Sequence, residues 1–190
     1  GVLQGITEWL PISSSGHLAI FQYYFEEEPP ILFDVILHLG SLFVILYILR
    51  NEMKDFLSFM PSALKKVNDR SNLKEEEKIV FFVILASIPT AIIGLFLEGT
   101  IIVTFYDNMH LVGTCLIITG AVIWFSKDYN DNLSFDNLSS SNAFFVGIIQ
   151  GLSILPGLSR SGLTIAFLRF FGLNPIKAAR FSFLIFIPAI

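Results

Sequence analysis

Two apolar stretches, Gly1–Phe25 and Ala143–Leu173, are each interrupted midway by a cluster of Pro, Gly and Ser. This constrains the fold more than any other feature of the sequence. Pro and Gly break helices, and a broken backbone at membrane depth survives only where protein or a water-filled cavity shelters it. The surrounding segments set that depth. Ile31–Leu49, Ile79–Leu97 and about His110–Phe125 approach the ~20 apolar residues of a spanning helix; the last, at 16 residues, needs a few neighbours or a thinner bilayer. A fourth span begins near Phe181. Only 15% of residues are charged, against about 25% in soluble domains, and the mean hydropathy is +0.70. The chain therefore reads as an all-α polytopic membrane protein with at least four transmembrane helices. It opens without Met inside one apolar pattern and stops at Ile190 inside another, so residues 1–190 are expected to be a single integral membrane domain truncated at both ends.

A net charge of −4 leaves no basic footprint for nucleic acid. Cys115 is the only cysteine, which excludes an internal disulfide or a Cys-based zinc site. Basic residues orient the rest, because Lys and Arg concentrate on the cytoplasmic side. Seven of the twelve lie in 50–78, a segment that also holds six acids and reads as a solvated loop. Four more are Lys127, Arg169, Lys177 and Arg180, leaving only Arg160. With 50–78 cytoplasmic, Glu26–Glu28 and Glu98–Met109 fall outside, and neither contains Lys or Arg. For Arg169, Lys177 and Arg180 to be cytoplasmic as well, the stretch 143–173 must enter and leave by one face. It is expected to be re-entrant.

The two broken stretches resemble each other. Setting Gly1–Leu18 above Gly147–Thr164, a shift of 146 without gaps, gives six identities: Gly1/Gly147, Gln4/Gln150, Gly5/Gly151, Ser13/Ser159, Ser15/Ser161 and Gly16/Gly162. A shared G-x-x-Q-G followed at the same distance by S-x-S-G points to duplication, with copies at about 1–49 and 147–190. Three spans separate them. An odd number of crossings inverts the second copy, and inverted broken helices usually meet near the midplane and build a site there. Two kinked spanning helices are the plainer alternative.

At the breaks the sequence reads Glu8-Trp9-Leu10-Pro11-Ile12-Ser13-Ser14-Ser15-Gly16-His17 and Leu155-Pro156-Gly157-Leu158-Ser159-Arg160-Ser161-Gly162-Leu163-Thr164. Pro ends one helix and Ser caps the next. Each break should thus expose a half-helix N-terminus suited to an anion. Ser13, Ser14, Ser15, Ser159, Ser161 and Thr164 would add hydroxyl donors, and Arg160 a planar fork for phosphate oxygens; taken singly, each serine also reads as a cap. Glu8, His17 and Arg160 are ionisable residues at membrane depth, which are usually functional. A structural Glu8–His17 pair with Arg160 is the plain alternative. His38 reads as a packing residue, Asp34 as a cap or an ion-pair partner, and His110 as an interfacial residue.

These residues resemble a family. G-x-x-Q-G-x-x-E-x-x-P-x-S-S-S-G-H at 1–17, P-G-x-S-R-S-G-x-T at 156–164 and F-D-V-I-L-H-L-G-S at 33–41 are similar to segments of the BacA/UppP undecaprenyl-diphosphate phosphatases. The resemblance implies inverted repeats with two re-entrant helix pairs. It also implies release of phosphate from a C55 polyprenyl diphosphate, which recycles the lipid carrier of cell-wall synthesis and confers bacitracin resistance. Glu8, Ser14, His17 and Arg160 match the family's catalytic positions, and Gln4 stands where many members have a second Glu. Members continue through further C-terminal spans.

The expected reaction is phosphoanhydride hydrolysis in the outer half of the plasma membrane. Gln4 and the hydroxyls at the breaks would bind substrate. Either Ser14 attacks with His17 as base, or His17 acts directly on phosphorus or water. Glu8 would orient His17 or hold a divalent cation such as Mg²⁺ or Ca²⁺ beside the diphosphate; no organic cofactor is needed. The expected partners are the polyprenyl diphosphate and the bilayer, with a homodimer left open. The rival from another class is a transporter or flippase for an anionic lipid, which shares this architecture.

Overall fold

The computed structural model describes residues 1–27, 31–66, 73–97, 104, 108–129 and 133–189. The Asp34 side chain, Glu28 and most of the outside loop expected at 98–109 lie outside the described residues. The described residues form nine α-helices: α1 Val2–Thr7, α2 Ser14–Phe25, α3 Ile31–Ile48, α4 Arg50–Lys65, α5 Glu75–Leu97, α6 Met109–Ser126, α7 Ser140–Leu152, α8 Arg160–Phe170 and α9 Pro175–Phe186. Short 3₁₀ turns cover Phe135–Asn137 and Ile187–Ala189. A lone parallel bridge, Leu133 to Leu173, is the sole extended pairing described.

The three spans read from the sequence are helices α3, α5 and α6 within a few residues of their expected ends. The short third span gains length because Asn108 caps it, accepting from His110 N at 3.1 Å and Leu111 N at 3.4 Å. Its 18 residues amount to about 27 Å, close to the ~30 Å apolar thickness. By length and composition α5 and α6 can each cross a membrane, and α3 with α4 forms a third candidate bent by 78°. The fourth apolar run is α9, which starts at Pro175, before the expected Phe181, with Asn174 as cap.

The segment expected to be a solvated loop contains a helix. In α4, Met53, Phe56, Met60 and Ala63 recur on one face, and Met53 and Phe56 pack against the core. Interspersed charges hid a stripe that an amphipathic helix can bury while its other face stays wet.

Copy two folds back on itself. Phe145, in the first half of α7, meets Phe167 in the last turn of α8 and Phe171 just after it, with ring centroids 5.5 and 6.1 Å apart. The outer ends of the pair are therefore together. At 13 and 11 residues, α7 reaches about two thirds and α8 just over half of the way across the ~30 Å apolar layer. Gly147 makes the packing of α7 on α5 close: a Cβ there would stand 2.1 Å from the Ala86 carbonyl oxygen. Around this contact lies the core of Ala86, Val146, Leu168, Phe181 and Ile185.

The copies repeat each other's local structure. Ser13 Oγ accepts from Gly16 N, and Ser159 Oγ from Gly162 N, both at 3.2 Å. Their mutual contact is reciprocal too. A Cβ on Gly16 would meet Gly157 Cα at 2.8 Å, and one on Gly162 would meet the Pro11 carbonyl oxygen at 3.0 Å. Gly16 is aligned with Gly162 and Pro11 with Gly157, so each copy touches the same place on the other, as a twofold relation requires. Gly157 also has φ +96°, a conformation that a side chain would strain.

Charges gather at the other end of the bundle. Lys66 bonds Glu77 at 2.9 and 3.0 Å, Lys177 reaches Glu75 at 2.6 Å, and Lys78 reaches Asp136 at 2.5 Å. The Lys78 ammonium, donating to Asp136, holds that carboxyl below the ordinary aspartate range. Arg169 donates to the carbonyls of Lys127 and Tyr129, both at 2.9 Å. Of the basic residues grouped by the sequence, Lys66, Lys78, Arg169 and Lys177 thus sit near helix ends, at the end of α4, the start of α5, the end of α8 and the start of α9.

Candidate active site

Ser14 and Arg160 are the first residues of α2 and α8, and they are aligned in the repeat. One buried carboxylate joins them. Glu8 Oε1 accepts from Arg160 Nη2 at 2.7 Å, while Oε2 accepts a short hydrogen bond from Ser14 Oγ. Gln4, one turn before Glu8, donates Nε2 to the same Oε2 at 2.6 Å. Two half-helix N-termini therefore converge on one negative charge. Their positive dipole ends and the N–H groups of each first turn, which have no intrahelical acceptor, make the place electropositive around Glu8.

Ser13 sets the entry to α2. Its φ of 65° is an uncommon, strained conformation for a residue with a side chain. Its carbonyl oxygen accepts from His17 N at 3.2 Å and lies 2.8 Å from His17 Nδ1. A carbonyl cannot donate, so Nδ1 carries the proton and the neutral ring keeps its lone pair on Nε2. This differs from the expected Ser14–His17 contact: Ser14 bonds Glu8, and His17 is fixed by Ser13.

Arg160 is also packed against α9: its Cζ lies 3.1 Å from the centroid of the Phe186 ring. Its other N–H groups have no hydrogen-bond partner among the described residues, so the fork retains capacity for a further acceptor.

The remaining candidate residues divide. Ser13 and Ser15 hydroxyls lie 3.3 Å apart beside the first break. Ser159 is a buried cap, and its backbone N–H donates to Thr119 at 3.0 Å. Ser161 is buried next to Arg160. Thr164 is spent elsewhere, bonding the Arg160 carbonyl at 2.8 Å and Ser182 Oγ at 2.6 Å. Two residues enter that the sequence did not assign here. His38, expected to be packing, brings Nε2 to 3.8 Å from Glu8 Oε2, and Phe186 lies under Arg160. The resemblance over 33–41 contained His38 without giving it a role, and nothing in the sequence marked Phe186.

Among the described residues, a divalent cation finds few ligands beside Glu8. Among the described residues no three His, Cys, Asp or Glu side chains come together, and both Glu8 oxygens are already engaged. A cation such as Mg²⁺ or Ca²⁺ would have to be held chiefly by phosphate oxygens.

The family model described as "Bacitracin resistance protein BacA" matches residues 1–190. The undecaprenyl-diphosphatase of Desulfosudis oleivorans is 40% identical over 199 residues, covering 100% of this chain and 71% of the relative. Those of Desulforapulum autotrophicum and Alkaliphilus metalliredigens are 36% and 37% identical, each with 100% and 71% coverage.

Proposed function

This chain belongs to the BacA family, and on that premise we propose that it hydrolyses undecaprenyl diphosphate to the monophosphate and phosphate in the plasma membrane, with its site open to the outer side. Through that activity it would recycle a cell-wall lipid carrier and give bacitracin resistance. The observation that carries the reading is the single carboxylate, Glu8, joining Ser14 and Arg160 at two half-helix N-termini.

Anionic phosphates entering this site compete with Glu8 for Arg160. When the guanidinium passes to them, Glu8 Oε2 is left beside the Ser14 hydroxyl, placed to take its proton. Ser14 Oγ then attacks the terminal phosphorus, the P–O bond to the lipid phosphate breaks, and the lipid monophosphate leaves as an anion. Arg160 and the helix N–H groups stabilise charge on the transferring phosphoryl group. Water, deprotonated by His17 Nε2, attacks the phosphorus on Ser14; the Ser14 O–P bond breaks, Glu8 gives its proton back to Ser14 Oγ, phosphate leaves, and His17 passes its proton to solvent. Any divalent cation would arrive with the diphosphate and help neutralise it.

The test is phosphate release from undecaprenyl diphosphate by the full-length protein in detergent. Stoichiometric release sustained over many turnovers is expected. Lipid movement between leaflets without release would overturn the reading in favour of a carrier, which needs Arg160 and the helix dipoles but has no use for Ser14 bonded to a base.

A further inference from the structure

We infer that Thr119, on α6, is a positioning residue for Arg160, clamping the turn from which the arginine enters the site. Its part in catalysis rests on the phosphatase reading above. Threonines on helices commonly donate to the carbonyl four residues earlier, as Thr7 does to Leu3 O and Thr114 to His110 O, both at 2.8 Å. Thr119 reaches across to copy two instead. Its Oγ1 donates to the Gly157 carbonyl oxygen and accepts from Ser159 N, both at 3.0 Å.

Those two backbone groups need a partner. Pro156, Gly157 and Ser159 are buried at the second break, where the chain has left α7 and has not yet entered α8. The Ser159 N–H precedes the helix it caps and has no intrahelical acceptor. A buried backbone group left unpaired is costly, and most of all at membrane depth. A hydroxyl serves a carbonyl with its proton and an N–H with a lone pair, so one small side chain satisfies both. Thr119 is itself 2% exposed, so water does not compete for either bond.

The clamp lies directly before the residue that does the work. Ser159 caps α8 by accepting from Gly162 N at 3.2 Å, and Arg160 is the first residue of that helix. Holding Gly157 O and Ser159 N therefore sets where α8 begins, where its first N–H groups point and where the Arg160 stem leaves the backbone. The turn rests tightly on α6: a Cβ on Gly157 would stand 2.5 Å from Val112 O and 2.7 Å from Cys115 Cβ. Arg160 has to let go of Glu8 and engage phosphate from this anchor. A planar fork tolerates little misalignment, and a misplacement of about 1 Å in a reacting site can cost 10²-fold in rate. Thr119 thus acts through the turn and through Arg160, from a span that belongs to neither copy of the repeat.

The experiment measures kcat/KM for undecaprenyl diphosphate, per folded protein, and thermal unfolding in the full-length protein in detergent. The variants are Thr119→Val, Thr119→Ser, Arg160→Lys and Thr119→Val combined with Arg160→Lys. Valine keeps the shape and removes both bonds, so Thr119→Val should lower kcat/KM about tenfold. Serine keeps the hydroxyl, and Thr119→Ser should stay within about threefold of wild type. In the Arg160→Lys background, Thr119→Val should cost less than about twofold more, because a residue that acts through the guanidinium then has little left to position. Losses that multiply in full in the double variant, or wild-type kcat/KM in Thr119→Val, would overturn the inference and leave the phosphatase reading standing. Equal losses in Thr119→Ser and Thr119→Val would also overturn it, making Thr119 a packing residue. Should Thr119→Val fail to fold, Thr119→Cys, whose thiol donates and accepts only weakly, takes its place in the same cycle. A wild-type protein that releases no phosphate would instead sink the phosphatase reading, and with it the catalytic part of the clamp.

Discussion

Ser14 and His17 lie three residues apart on α2, yet they hold different partners, and that separates their proposed roles. Ser14, bonded to Glu8, is set to attack; His17, with Nδ1 fixed by the Ser13 carbonyl, is set to activate water. Replacing either by Ala should cost about 10²–10⁴-fold in turnover, the usual contribution of a positioned acid–base group or nucleophile. The two variants should fail differently. With substrate labelled in its terminal phosphate, His17→Ala should accumulate a covalent label on Ser14, and Ser14→Ala should show none. Label-free His17→Ala that still turns over slowly would point to direct attack by water. Arg160→Lys keeps the charge but loses the planar fork, so KM should rise and kcat fall, together by about tenfold or more in kcat/KM. Unchanged kcat/KM would make Arg160 a structural partner of Glu8 alone. The sequence displayed Glu8, Ser14, His17 and Arg160 because ionisable and cap-forming residues stand out against an apolar background. It could not display the bonds between them. His38 was hidden because one histidine on an apolar helix looks like any packed histidine until the fold sets it beside a carboxylate from another element.

Single side chains decide several helix ends, and the sequence reading found only those at the breaks; the starts set by Asn108, Ser139 and Asn174 were not read. Asn108, Ser139, Ser159 and Asn174 all cap the helices that follow them, each accepting backbone N–H bonds through its side chain. Helix partners were not readable, since α5 is apolar over most of its length and periodicity selects no face. Close contact selects it instead. Gly147 lies against α5 with no room for a side chain, whereas a Cβ on Gly113 of α6 would have nothing within 4 Å. Gly147→Ala should therefore destabilise the protein by about 1–3 kcal/mol through overpacking. Gly113→Ala should be neutral or should stabilise by up to about 1 kcal/mol through helix propensity. Thermal unfolding of both variants in detergent checks the pair. Equal unfolding temperatures would mean that the α5–α7 contact yields at little cost. Small residues allow such contacts in membranes, where helices gain from packing rather than from leaving water.

At the scale of the molecule, the distribution of charge and the geometry of the breaks agree through independent routes. Counting Lys and Arg required the stretch 143–173 to return to the face it entered, and the Phe145 contacts with Phe167 and Phe171 bring its two outer ends together. Alignment of the copies suggested a twofold relation, and the Gly16–Gly157 and Gly162–Pro11 contacts are related in that way. What neither route supplied was the bend of 78° after α3, which turns α4 aside as an amphipathic helix. Sidedness can be tested directly, because Glu27 follows α2 and Lys65 ends α4, and both are exposed. In a background without native thiols, which within residues 1–190 takes only Cys115→Ala, Glu27→Cys and Lys65→Cys should differ in intact cells. An impermeant thiol reagent added outside should label Glu27→Cys and should reach Lys65→Cys only after the membrane is opened. If Lys65→Cys reacted in sealed cells while Glu27→Cys did not, the basic end would face outward and the site could not be supplied from the outer leaflet as proposed. Labelling of both in sealed cells would mean that the basic end is not retained inside, against the strong bias that Lys and Arg impose on short loops.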